Sequence, residues 1–133
     1  MNNMQRSKML FDAANESWAE AKFSYSRKVY NLVVRRCQEA VELGLSAELA
    51  YWGLHFPKNH DQAPMLMNIL KSQDINIGDD GKNIEMISLD LSRKRGPALQ
   101  QEEGYGAGVA KKAIKDAEFV LEKLKKIDVL KKQ

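Results

Sequence analysis

Cysteine occurs once in the chain, at Cys37, so no intramolecular disulfide framework can hold the fold. Proline occurs three times and glycine eight times in 133 residues, which leaves room for long helices and excludes a collagen-like or proline-rich disordered chain. No apolar run approaches the ~18 residues of a membrane-spanning helix, because charges or amides break every hydrophobic stretch. The opening MNNMQRSKM shows no long apolar run behind its charges, so the chain reads as cytoplasmic, with no membrane partner. Histidine is scarce: His55 and His60 are the only two. A strong excess of one charge is missing as well. The 21 Lys and Arg exceed the 18 Asp and Glu by 3, short of the basic stripe of a dedicated DNA-binding domain.

What is present is a helical rhythm. Met4, Ser7, Phe11, Ala14, Trp18, Ala21 and Tyr25 recur at three and four residue spacing and predict a first helix, with a break near Ser24 to Lys28. A second pattern carries two neighbouring apolar lines, one through Val33, Cys37, Ala40, Gly44, Ala47 and Tyr51, the other through Val34, Val41, Leu45, Leu49 and Trp52. So wide a stripe predicts contact with more than one helix. Gly53 stops it and Pro57 follows. Asn59 or Asp61 is expected to cap a short third helix, with Pro64 in its first turn. A fourth helix is expected to start near Gly81 or Lys82 and to end by Arg95, since Gly96-Pro97 disfavours helix. The loop RGPALQQEEGYGAG then leads into a last helix through Ala110, Ala113, Ala117, Val120, Leu124 and Ile127. No window alternates as a strand does. The expected fold is all-α: an up-and-down antiparallel bundle of four to five helices, one domain over 1–133 with its core at about 4–127 and a frayed tail at 128–133.

Within this pattern lies a series of landmarks. They run through Trp18, Ala21, Tyr30, the segment Arg35-Arg36-Cys37-Gln38-Glu39-Ala40-Val41-Glu42, Ala47, Leu49, Gly53, Pro57 and His60-Asp61, then Leu91-Ser92-Arg93 and Ala113-Ile114-Lys115-Asp116-Ala117. In these residues, over about 10 to 127, the chain resembles the HEPN domains (higher eukaryote and prokaryote nucleotide-binding), above all their small stand-alone prokaryotic members. The resemblance implies a helical bundle, a homodimer, and a setting beside a minimal nucleotidyltransferase in a toxin and antitoxin pair. Many members are metal-independent ribonucleases that carry an arginine followed four to six residues later by a histidine, at the end of the fourth helix and in the loop after it. Here Ser92 to Gln101 contains no histidine, and both histidines precede Arg93. RNA cleavage benefits from an acid/base group and a cation, and only the cation remains. No catalytic residue is therefore assigned, and activity would fall to Tyr105 or Glu102 as forced substitutes. Gly44 and Ser46 also replace the Ala and Lys that relatives often carry.

The residues themselves offer one candidate site. Arg93, Lys94 and Arg95 precede the glycines of Gly104-Tyr105-Gly106-Ala107-Gly108, and Lys111 and Lys112 are expected in the first turn of the last helix. Guanidinium groups and a helix N-terminus attract phosphate, so Arg93, Arg95, Gly106, Gly108, Lys111 and Lys112 are the candidate ligands of a nucleotide or RNA phosphate. The plain alternative is a solvated helix end with ordinary loop glycines. Cys37 falls on an inward line and reads as core. His60 and Asp61 read as turn residues, since with His55 they match no metal-ligand spacing. Trp18 and Glu39 read as structural, with Arg35 and Glu39 as a surface pair. Neither a metal nor an organic cofactor is expected. The eight lysines of the last helix and tail, against four acids, offer a weak RNA-facing surface or simply a solvated face.

Overall fold

A computed structural model describes residues 1–54 and 61–131; His55, Pro57, Asn59 and His60 lie outside the described residues. Five helices follow one another among the described residues: α1 Asn3–Ser26, α2 Tyr30–Tyr51, α3 Ala63–Ser72, α4 Asp79–Leu99 and α5 Ala107–Lys131. Among the described residues there is no strand. The four long helices run alternately up and down, and α3 lies in the α2–α4 connection. The α1–α2 turn and the α4–α5 loop therefore share one end of the bundle.

α1 starts on a capping box, in which the Asn2 side chain accepts from the Gln5 amide at 2.8 Å and the Gln5 side chain accepts from the Asn2 amide at 2.9 Å. The Ser7 and Ser17 hydroxyls donate to the Ala47 and Arg36 carbonyls at 2.7 and 2.9 Å, which fixes α1 antiparallel to α2. As its two apolar lines predict, α2 is the centre of the bundle: it touches α1, α3, α4 and α5 and is buried nearly all round in its second half. Gly44 lets α5 come close, for a Cβ there would stand 2.9 and 3.0 Å from the end methyls of Leu124 and Leu121. Ser46, buried, donates to Gln62 Oε1 at 2.6 Å and ties α2 to the start of α3.

Four expectations need correction. The α3 cap is Gln62, with no side-chain capping bond, and Asp61 instead accepts from the Ser88 hydroxyl on α4 at 2.7 Å. α4 begins two residues early, at Asp79, and runs through Gly96-Pro97 to Leu99. A proline this near a helix end removes one N–H and leaves the last turns to close on later donors: Gln100 N bonds to the Gly96 carbonyl and Glu102 N to the Pro97 carbonyl, both at 2.9 Å. Met4, placed on the inward line of α1, is exposed. Nor are residues 128–131 frayed. The Lys131 ammonium, with a side chain 4% exposed, pairs with the buried Glu48 carboxylate at 2.8 Å and with Asp128 at 2.7 Å, and stands 3.6 Å from the centre of the Tyr51 ring.

Candidate anion-binding site

Because α4 continues past Pro97, Arg93 and Arg95 sit within its last two turns rather than at its tip. Residues two apart on a helix point about 200° apart, so the two guanidinium groups do not form one fork. Arg93 is exposed and Arg95 half-buried, and among the described residues no carboxylate or hydrogen bond engages either. Lys94, between them, is held by Asp90 at 2.8 and 3.0 Å.

The loop after α4 is shorter than its glycines suggest, since it covers only 100–106. Gln101 adopts φ 58°, a left-handed conformation. From the first turn of α2, the Asn31 side-chain amide donates to Gln101 Oε1 at 3.0 Å and to the Glu103 carbonyl at 2.7 Å, while its oxygen accepts from Tyr105 N at 2.9 Å. Asn31 carries no sign in the sequence, because its partners lie seventy or more residues away. Gly104, Gly106 and Gly108 have open space where a Cβ would stand. Arg27 and the exposed Lys28, which has φ 64°, form the neighbouring α1–α2 turn and add two cations that the sequence did not connect with the loop.

α5 begins at Ala107, so Lys111 and Lys112 fall in its second turn and not its first. Lys111 is exposed. Lys112 reaches along the helix to Asp116 at 2.6 Å, and that hydrogen bond raises its pKa, helped by the charges of Asp116 and Asp90. The Tyr105 phenol is also pushed up, by burial first and then by Glu103 and Asp90. Tyr105 is therefore a poor proton acceptor. Lys112 lines a groove of about 590 Å³ between α4 and α5, together with Met86, Ile87 and Phe119, which Arg93, Arg95, Gly106, Gly108 and Lys111 do not line. The candidate cations thus come from three elements at one end of the bundle, and apart from Lys112 they do not line the α4–α5 groove.

Trp18, Glu39 and Cys37 serve the bundle itself. Trp18 Nε1 donates to the Ile114 carbonyl at 3.1 Å, with the Lys22 ammonium 3.6 Å from its ring centre. Glu39 pairs with Arg36 at 3.0 Å rather than with Arg35, since i,i+3 geometry and the Glu20 carboxylate of α1, at 3.3 Å, draw Arg36 to that side. Cys37 is fully buried. Among the described residues no group of three or more His, Cys, Asp and Glu could hold a metal ion, and no helix is long and apolar enough to cross a membrane.

The family model of the HEPN domain matches residues 7–127, nearly the whole chain. No curated protein and no solved structure matches.

Proposed function

The chain belongs to the HEPN domain family, and from that premise we propose a homodimer that binds a nucleotide or RNA phosphate at the α4–α5 end of the bundle, without the family's Arg/His ribonuclease pair. One observation carries the reading. Arg93, Arg95, Arg27, Lys28 and Lys111 stand at this end with no carboxylate partner among the described residues, near a loop whose glycines have open space where a Cβ would stand. In the same region Lys94 and Lys112 are held by Asp90 and Asp116, and away from it Lys8 and Lys131 are each held by an acid. Uncommitted cations beside accessible amides suit a phosphate, and their scatter over an open surface suits a strand more than an enclosed base.

The test is thermal unfolding of the wild type and of Arg93→Ala/Arg95→Ala against nucleotides and a short RNA. A ligand at a hundredfold excess over Kd stabilises the native state by about 2.7 kcal/mol. The reading requires a shift that falls with salt and disappears in the double variant. No shift with any ligand removes it.

A second reading rests on the α4–α5 groove. Met86 is 68% exposed beside it, and Leu89, on the same helix, is 38% exposed. Such a surface suits a protein module that docks a minimal nucleotidyltransferase, as one half of a toxin and antitoxin pair. Co-expression with such a partner and retention of the complex through purification, lost on Met86→Glu, favours this reading over the first.

A further inference from the structure

We propose that Asn31 is a positioning residue: its carboxamide holds the α4–α5 loop in the one conformation that presents the candidate anion site. The inference rests on the binding reading above and adds a residue from a different helix to it. The Asn31 side chain uses both amide hydrogens and its oxygen on the loop, with Gln101 Oε1, the Glu103 carbonyl and Tyr105 N at 3.0, 2.7 and 2.9 Å. Two donors and one acceptor on so short a stem are what an asparagine alone supplies: aspartate has no donor, serine has one, and glutamine is a methylene longer.

Two further observations agree. Asparagine is a weak helix former, and here it sits in the first turn of α2 without capping its own helix, whose cap Val29 makes no side-chain bond. A locally unfavourable choice whose side chain serves a distant loop points to a requirement of that loop. Gln101, moreover, is strained at φ 58°, with its Nε2 donating to the Ala98 carbonyl at 3.2 Å, so one side chain links the end of α4 to Asn31. The strain persists because contacts on both sides determine it. The buried core of α2 begins deeper, at Val33 and Val34, and Asn31 itself is only half-buried. Loss of the amide therefore frees the loop and leaves the bundle standing.

The experiment compares wild type, Asn31→Ala and Arg93→Ala/Arg95→Ala by three readouts: melting temperature, amide exchange at Tyr105 without ligand, and affinity for a short oligouridylate. In Asn31→Ala we expect faster exchange at Tyr105, a nearly unchanged melting temperature, and affinity lower by about tenfold, equivalent to ~1.4 kcal/mol. Unchanged exchange at Tyr105 overturns the clamp. Faster exchange with wild-type affinity overturns the positioning role, and so does a collapse of the melting temperature, which marks Asn31 as part of the fold. If the wild type itself does not bind oligouridylate, the binding reading fails, and the exchange data separate that failure from a failure of the clamp.

Discussion

The Cys37 thiol lies on the inner side of α2, where burial, with the Asp116 carboxylate second, pushes its pKa up to about 12. A thiol so protonated is no nucleophile. Native protein at pH 8 is expected to leave Cys37 unlabelled by a maleimide over a time in which urea-unfolded protein reacts completely; rapid native labelling would contradict the burial. That role was legible from spacing alone, because Val33, Cys37 and Ala40 fall on one helical line. Gly44 is on the same line, yet only the structure shows why it is glycine. Gly44→Val would drive its branches into Leu121 and Leu124 and is expected to lower stability by about 1–3 kcal/mol in urea titration. The choice of Arg36 over Arg35 for Glu39 was not legible, since it depends on Glu20 of a neighbouring helix.

The helices end in a common way that their sequences conceal. After α1, α2, α3 and α4 the chain turns through Lys28, Gly53, Asp74 and Gln101, all at positive φ, and in each case the next residue's amide reaches back to the carbonyl five residues before it. Glycine is the inexpensive residue for this turn, and only α2 has it. Its end was accordingly the one read correctly from a stop signal, whereas the end of α4 was misplaced on the strength of Gly96-Pro97. The amphipathic bodies of α1, α2 and α5 were legible because burial repeats with the helical period. The caps were not, because a non-glycine residue gives no stop signal and the turn is closed by backbone bonds to the helix before it. Lys28, exposed and without an acidic partner among the described residues, gives the test: Lys28→Gly is expected to raise stability by about 0.5–1 kcal/mol, seen as a higher urea midpoint with unchanged slope. The same change is expected to weaken RNA binding if the α1–α2 turn belongs to the site.

At the end of the bundle opposite the candidate site the charges are internal. Burial holds the Glu48 carboxyl up at about 7, against the lowering effect of Lys131. A carboxyl raised above its unfolded value of 4.5 stabilises the fold while protonated, so this contribution is complete below 4.5 and is lost as pH rises through about 7. Over that interval wild-type stability is expected to decline relative to Glu48→Gln, which has no such proton; parallel pH profiles in urea unfolding would refute the assignment. Lys131→Met at pH 8 leaves an unpaired buried carboxylate and is expected to cost about 3–5 kcal/mol. Sequence gave no notice of this pair, because a lysine in a polar tail reads as solvated and Glu48 as one acid in a helix. Its partner contact at the other end, Asn31, was equally silent.

Together these two contacts hold α5 and the loop that precedes it at both ends from one helix. Asn31 and Glu48 lie 17 positions apart on α2, or about 25 Å of helix rise, and they grip the chain at Gln101 to Tyr105 and at Lys131. α2 is thus a ruler against which α5 cannot slide. A one-turn ratchet of about 5.4 Å would drag a buried ammonium away from its carboxylate. A ligand that pulls on the loop must therefore be accommodated within the few residues between α4 and α5, while the rod behind them stays still.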